Sequence, residues 1–346
     1  MARAPGHRGR LTSHVVVALG DSAVGTLERC RLAGERIFVV FASSARSTIE
    51  ALQGPGGPVG TFPGRAFAVE LDQPGHGGLS PTQRAYCFTD APHYYKGGAD
   101  GASTRADAAL RVAASVPLER ALRAALDQAH ANRQGTEHLS VRVLVVATAY
   151  RMTGSGGVVP LVALVEDVLG DYEGQADHVV DVLLATGSVN LADERSRRAA
   201  RQGRTSAVAE LGLATEHPEV AGPRAPRPMG ELVGHVYELG APVGSGRLGD
   251  EAEAGRALAL ALRTLLFGEV AAEREAARPH SRDVTWQPDG TRALFAGMGA
   301  LEVAYDAATA RAALAGRLLG TMPLPSGQAK PRQARSRPGP SRQVPA

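Results

Sequence analysis

The residues with the clearest chemical potential form the run Thr153-Gly154-Ser155-Gly156-Gly157, which follows an apolar segment at Leu144–Ala147. An apolar helix is expected directly after this run, so the free N–H groups of its first turn would face an anion. Glycine lets a backbone approach a ligand closely, and the two hydroxyls can donate hydrogen bonds. The pattern is typical of a phosphate site, although Gly/Ser-rich turns of this kind also occur as plain connections in α/β proteins.

Two further glycine-containing loops precede this run. The first spans Gly20–Thr26 after an apolar run, and the second spans Gly97–Ala102 before a helical pattern. The first loop has Ser22 at the second glycine position of the dinucleotide fingerprint, and no lysine follows Gly25 as a P-loop requires. Because the carboxyl ends of parallel strands meet at one edge of a sheet, the three loops are expected to converge on one crevice.

The elements that would position these loops alternate along the chain. Apolar runs predict strands at 14–19, 36–42, 67–72, 141–148, 178–186, 232–239 and within 293–305. Helical periodicity predicts helices near 26–34, 104–114, 118–131, 158–169, 191–215, 250–267 and 308–319. This alternation predicts an α/β fold with an open, mostly parallel sheet and helices on both faces, followed by a smaller α+β unit.

Composition and charge divide the chain into five segments. They are a disordered basic N-terminus (1–13), an α/β domain with the three loops (14–216), a proline-rich linker (217–230), a C-terminal α+β domain (231–322) and a disordered basic tail (323–346). The net charge is +3, but eight cationic side chains lie in the two termini, which leaves −5 for residues 14–322. An acidic globular part argues against specific nucleic-acid binding, while the tail can contact an unknown anionic partner.

Cysteine and histidine usage predicts neither disulfides nor a metal site. Two cysteines are too few for a disulfide framework or a zinc cluster. The histidines considered as ligands show no ligand-like spacing; they are His76, His93, His130, His138 and His178. No apolar run approaches the ~18 residues of a membrane helix, and Val15–Leu19 is too short for a signal sequence. We therefore expect a cytoplasmic protein without membrane insertion.

The three loops, taken in order, resemble those of the tubulin/FtsZ GTPase superfamily, and more closely those of its bacterial tubulin-like proteins. The segments 97–114, 204–211 and 295–319 are similar to the family's glycine-rich loop and helix, the start of its central helix and its C-terminal turn, strand and helix. The resemblance covers about residues 14–320. It implies a tubulin/FtsZ-like three-layer sandwich with a mostly parallel sheet, a central helix and a smaller α+β C-terminal domain.

The resemblance also implies that residues of all three loops hold GTP, with Mg²⁺. The residues that would hold its phosphates are Thr153, Gly154, Ser155 and Gly156 for the β- and γ-phosphates, Gly20, Asp21 and Ser22 for the α-phosphate, and Gly98, Ala99, Asp100 and Gly101 near the γ-phosphate.

Several positions depart from the family pattern. Arg151 and Met152 stand where the family has glycines, and Gly203–Thr205 stand where an asparagine is usual. The acids near the expected catalytic position are Glu238, Asp250 and Glu251, and none of them lies in a recognisable motif. The sequence therefore assigns no catalytic residue.

These observations favour a tubulin-like GTP-binding protein with weak or assembly-dependent GTPase activity and self-association. The alternative is a degenerate tubulin-like scaffold that binds no nucleotide or does not hydrolyse it. A third hypothesis is a Rossmann-type enzyme that uses a dinucleotide. Ser22 disfavours it, as does the end of the second strand at Ala42-Ser43-Ser44, where no acid is present to bind a ribose.

Overall fold

A single parallel sheet organises the part of the chain that the computed structural model describes. The structure describes residues 11–30, 35–71, 105–131, 139–186, 194–214, 217, 233–240, 251–267 and 295–298. The chain divides into two units, Met1–Leu301 and Glu302–Ala346, and every described residue belongs to the first.

The sheet has seven strands in the order β3-β2-β1-β4-β5-β6-β7, and every neighbouring pair is parallel. The strands are β1 (Leu11–Leu19), β2 (Ile37–Ser43), β3 (Ala66–Glu70), β4 (Leu139–Thr148), β5 (Asp177–Ala185), β6 (Val233–Leu239) and β7 (Phe295–Met298). The predicted α/β class and the mostly parallel sheet are confirmed.

The helices of the described residues connect these strands and cover both faces of the sheet. They are α1 (Asp21–Cys30), α2 (Arg46–Gln53), α3 (Pro58–Thr61), α4 (Arg105–Ala113), α5 (Val116–Ala131), α6 (Met152–Gly170), α7 (Glu194–Ala214) and α8 (Glu251–Leu266). Buried residues of α4, α5, α6 and α7 form the core on one face. Buried residues of α1, α2 and α8 form the core on the other face.

The central strands are continuous apolar runs because neither face reaches water. In β1, Val15 and Val17 pack with the first group of helices, whereas Val16 and Ala18 pack with the second. This division follows from the alternation of side chains along a strand. All ten residues of β4 are buried, which explains why an apolar run without polar alternation folds as a strand here.

One charged pair lies inside the sheet. Arg142 of β4 and Asp181 of β5 are 4% and 0% exposed and form an ion pair, with Arg142 Nε 2.7 Å from Asp181 Oδ2. Asp181 also accepts the backbone N–H of His235 at 3.0 Å, where the register between β5 and β6 shifts. A Cβ on Gly234 would lie 2.6 Å from Asp181 Oδ1, so a glycine is required beside this carboxylate. The buried charges are thus paired and hydrogen-bonded, as burial requires.

Two predicted helix starts were wrong. The structure begins α1 at Asp21 instead of near Thr26, and α6 at Met152 instead of near Val158. Glycines favour loops at both places because of their conformational cost in helices. In α6, however, glycines occupy positions where neighbouring backbone lies too close for a Cβ, so packing overrides the local preference.

The segment 231–322 supplies β6, α8 and β7, which continue the same sheet. The tubulin-type three-layer sandwich with a smaller α+β C-terminal domain is therefore not confirmed. The predicted helix at 308–319, residues 1–10, the basic tail 323–346 and nearly all of the linker 217–230 lie outside the described residues. The predicted disorder of residues 11–13 was wrong, because these residues begin β1 and pair with β4.

Among the described residues, α6 is the one helix that is long and apolar enough to span a membrane by length and composition. Its most apolar stretch is 94% buried beneath the sheet and neighbouring helices. The length and composition of α6 are therefore explained by its place as a buried core helix of the α/β fold. A cytoplasmic location stays a prediction.

Candidate functional site

The order of the strands reverses between β1 and β4. From β1 the chain adds β2 and β3 on one side, and from β4 it adds β5, β6 and β7 on the other. Leu19 and Ala147 pair at the carboxyl ends of the two central strands. In open α/β sheets, ligands bind in the crevice outside these carboxyl ends, at the point of reversal. The fold and this crevice define a Rossmann-like, doubly wound α/β protein.

Two helix N-termini meet at this crevice. Gly20 follows β1 with φ +84° and leads directly into α1. A Cβ on Gly20 would lie 3.3 Å from Thr153 Cβ and 3.5 Å from the backbone N of Gly154, in the first turn of α6. The positive φ and this close approach both favour glycine. The N-termini of α1 and α6 therefore lie at adjoining strand ends, and the N-terminus of a helix favours a bound anion.

Hydroxyl groups at the end of β2 link the two N-termini. Ser43 donates its hydroxyl hydrogen to Asp21 and accepts the N–H of Ala45 at 3.0 Å. Ser44 and Thr153 share a hydrogen bond of 3.2 Å between their hydroxyl oxygens. The sequence analysis did not assign Ser43 and Ser44 to the site. Two hydroxyl residues directly after a buried strand are the signal that could have identified them.

The predicted loop Thr153–Gly157 is the first part of α6, and it is buried. Thr153 and Ser155 are 0% and 1% exposed. A Cβ on Gly154 would lie 2.8 Å from the backbone N of Thr148 and closer still to its carbonyl oxygen. These glycines thus let α6 pack against β4 and α4. Whether the residues also contact a ligand stays a prediction.

The first turns of α6 are held by an ion pair from two neighbouring helices. Arg105 of α4 is 3% exposed and donates two hydrogen bonds to the carboxylate of Glu210 in α7, at 2.8 and 2.6 Å. Its guanidinium also donates to the carbonyl oxygen of Ser155 at 2.6 Å. A Cβ on Gly156 would lie 2.7 Å from Arg105 Cα. Backbone contact and charge therefore fix α6 against α4 and α7.

The other side of the crevice carries a second polar group of residues. Thr186 and Arg204 each donate a hydrogen bond of 2.9 Å to Oε1 of Glu238, at the carboxyl ends of β5 and β6. A Cβ on Gly203 would lie 2.8 Å from the carbonyl oxygen of Ala149. Helix α7 therefore lies against the end of β4 and places Arg204 beside the crevice.

Two polar atoms near the crevice lack hydrogen-bond partners within the part of the chain that the structure describes. They are Oγ1 of Thr148, at the end of β4, and Oε1 of Gln202, beside Gly203. Thr148 is 1% exposed. Buried polar atoms are nearly always hydrogen-bonded, so these two point to a polar ligand or water.

The remaining predicted site residues fall in four places. Asp21 and Ser22 lie in the first turn of α1. Arg151 is the N-cap of α6 with φ −118°, an extended conformation that any residue adopts. The loop residues Gly98, Ala99, Asp100 and Gly101, together with Asp250, lie outside the described residues, and Glu251 begins α8.

A histidine pair lies at the opposite, amino-terminal edge of the sheet. Nε2 of His130, near the end of α5, is 3.1 Å from Nε2 of His178, near the start of β5. Burial and the neighbouring His130 lower the pKa of His178 to about 4, against a smaller opposing effect of Asp177. Burial and a hydrogen bond to Asp127 raise the pKa of the adjacent Tyr172. The spacing of 48 residues hid this pair from the sequence analysis.

No family model and no curated protein matches this chain. Matching solved structures include an alcohol dehydrogenase from the archaeon Thermococcus sibiricus complexed with 5-hydroxy-NADP, at 13% identity, 85% coverage of this chain, 100% of that chain and a TM-score of 0.32. Another is a short-chain dehydrogenase from Streptomyces avermitilis, at 14% identity, 90% and 94% coverage and a TM-score of 0.29. Sequence identities and TM-scores this low assign no activity to this chain.

These comparisons correct the resemblance to the tubulin/FtsZ superfamily. The named solved structures are dehydrogenases, one of them in complex with an NADP derivative, and not tubulin-like GTPases. The assignments of a tubulin-like GTP-binding protein, of GTP and Mg²⁺ as ligands and of a degenerate tubulin-like scaffold were therefore wrong. The physical reason is that the glycine-rich run is a packed helix start, and such packing produces the same local sequence as a phosphate loop. Self-association and a partner for the tail stay predictions.

Proposed function

We propose that this chain binds a nicotinamide dinucleotide of the NADP type across the crevice between β1 and β4. The observation that carries this proposal is the meeting of the N-termini of α1 and α6 at Gly20. Each helix N-terminus is the positive end of a helix dipole, which favours a bound anion. Two helix N-termini at adjoining strands suit the two phosphates of a pyrophosphate better than they suit a single anion.

The end of β2 supports NADP over NAD. A Rossmann-type NAD site has an acid near this position that binds the ribose hydroxyls, whereas an NADP site has an arginine for the 2′-phosphate. Here Ser43 and Ser44 are followed by Arg46, in the first turn of α2. The Arg46 side chain is 76% exposed, and its ion pair with Glu50 at 2.9 Å is a solvent-exposed one that contributes little to stability, so the guanidinium can turn to a ligand phosphate at little cost.

The far side of the crevice supports a ligand that extends past the phosphates. Thr148 Oγ1 and Gln202 Oε1 are buried polar atoms. A hydrogen bond to a bound polar group would remove the free-energy cost of burying them without a partner. The proposal concerns binding. Glu238 is held by Arg204 and Thr186, and no residue of the crevice is assigned a catalytic role.

Calorimetric titration of the full chain with NADP⁺, NADPH, NAD⁺ and GTP with Mg²⁺ tests the proposal. We expect one saturable NADP(H) site per chain and about tenfold weaker binding of NAD⁺, because one charge-assisted hydrogen bond to the 2′-phosphate contributes about 1.5 kcal/mol. Arg46→Ala is expected to remove this preference while NAD⁺ binding persists. Arg201→Ala, which removes another exposed, ion-paired arginine, is the matched control.

The proposal fails if the folded chain shows no saturable binding of either dinucleotide, or if GTP binds as tightly as NADP⁺. Circular dichroism of each variant establishes that it is folded. An exposed ion pair such as Arg46–Glu50 contributes little to stability, so Arg46→Ala is expected to fold normally.

A further inference from the structure

The histidine pair His130 and His178 brings two nitrogen ligands together from distant parts of the chain. The Nε2 atoms are 3.1 Å apart, and the ring centroids are 5.3 Å apart with the ring planes tilted by 51°. With this separation of nitrogens and centroids, the two rings point their Nε2 atoms at each other. His130 lies near the end of α5, and His178 lies near the start of β5.

The hydrogen bonding of His130 makes its Nε2 the acceptor of the Nε2 hydrogen of His178, and a metal ion that binds both nitrogens would release that hydrogen to water. Nδ1 of His130 is 2.7 Å from the carbonyl oxygen of Leu126, so Nδ1 carries the hydrogen and donates it. In a neutral imidazole the other nitrogen then has a free lone pair. A backbone carbonyl that accepts the second ring N–H is the usual partner of a metal-bound histidine, because it fixes the tautomer and the ring orientation.

The distance between the two Nε2 atoms fits a shared metal ion. A zinc-type ion binds imidazole nitrogen at 2.0–2.1 Å, so two adjacent ligands at angles of 90–109° are separated by about 2.9–3.3 Å. The observed 3.1 Å lies inside this interval. Because the two Nε2 atoms point at each other, each ring would have to tilt so that both lone pairs converge on an ion that lies off the line between the nitrogens.

The surroundings hold the pair in place and favour a cation. The ring of Tyr172 stacks on His130 with centroids 4.7 Å apart, and its hydroxyl donates to Asp127 at 2.6 Å. The nearby guanidinium of Arg123 is paired with Asp171 and also lies 3.3 Å from a carboxylate oxygen of Glu119. Among the described residues of these contacts, three carboxylates accompany one guanidinium. Both histidines are only partly buried, so water can reach the ion.

We propose that His130 and His178 bind a divalent transition-metal ion through their Nε2 atoms, with water as the remaining ligands. Zinc, copper and nickel are the ions that imidazole ligands suit. Among the described residues, no group of three or more His, Cys, Asp or Glu side chains is placed to hold a metal, so the described part of the chain contributes two ligands. The bound ion would join the end of α5 to the start of β5. This inference is independent of the dinucleotide proposal.

Titration of the full, EDTA-treated and dialysed chain with ZnCl₂ tests the proposal, with CoCl₂ absorption as a second probe. We expect a saturable site that is lost in His130→Gln and in His178→Gln, and an upward shift of the thermal midpoint of the wild type with zinc. His217→Gln removes a histidine outside the pair and is expected to keep the site. Absence of saturable zinc binding, or binding that survives both single substitutions, overturns the proposal.

Nitrogen NMR of the wild-type imidazoles tests the proposal without any variant, so it still applies if a variant does not fold. The proposal requires that zinc shift the Nε2 resonances of both His130 and His178. Unchanged resonances would show that the two rings share only a hydrogen bond, which overturns the proposal. Neither measurement involves a nucleotide.

Discussion

Replacement of Gly156 by alanine tests how the first turns of α6 are packed. A Cβ at this position would lie 2.7 Å from Arg105 Cα and 2.9 Å from Arg105 C, and nearer still to the carbonyl oxygen. All three atoms belong to the backbone of α4, so no side-chain rotation can relieve the overlap. The two helices would have to separate by roughly 1 Å to restore ordinary contact distances.

Two opposing effects decide how far Gly156→Ala changes the free energy of unfolding. Alanine improves helix propensity by about 1 kcal/mol over glycine, whereas overpacking of a buried site costs about 1–3 kcal/mol. The overlap with rigid backbone places the cost at the upper end of that range. Separation of the helices would also stretch the 2.6 Å hydrogen bond from Arg105 to Ser155. We expect Gly156→Ala to lower the free energy of unfolding by about 2 kcal/mol net.

Urea unfolding followed by circular dichroism measures this change. Gly170→Ala, at the other end of the same helix, is the matched control because a Cβ there meets nothing within 4 Å. We expect that control to leave stability unchanged or to raise it by up to about 1 kcal/mol. A Gly156→Ala chain as stable as the wild type would refute the close packing of α6 on α4.

The ion pairs give two further predictions, both measured by urea unfolding. Asp181→Asn leaves the buried Arg142 without its counter-charge and is expected to cost about 3 kcal/mol, whereas combining it with Arg142→Met should cost less than the single change. A double variant less stable than Asp181→Asn would contradict this account. Arg105→Met leaves Glu210 and the Ser155 carbonyl without their donor and is expected to cost about 2 kcal/mol, less than a fully buried pair because Glu210 is 24% exposed. Its control, Arg256→Met in an exposed pair, should change stability by less than about 0.5 kcal/mol, and equal effects of the two would argue against the role of Arg105.

The strands could be predicted because the apolar run that indicates a strand lies within a few consecutive residues. The run at 141–148 is apolar except for Arg142 and Thr148 and shows no polar alternation, which is the pattern of a strand covered on both faces, and β4 occupies Leu139–Thr148. The helices α4, α5, α7 and α8 follow from their periodicity in the same way. The start of α6 did not follow, because a Thr-Gly-Ser-Gly-Gly run has the same local preference whether it contacts phosphate or neighbouring backbone.

The α/β class, the parallel strands and the approximate limits of most described elements followed from the amino-acid sequence, because hydrophobic periodicity is a property of short segments. The structure was needed to establish that residues after 231 extend the same sheet, and that Ser44 meets Thr153. It also decided that His130 meets His178, 48 residues along the chain. Such meetings depend on strand order and helix packing, which many segments set together and no single segment encodes.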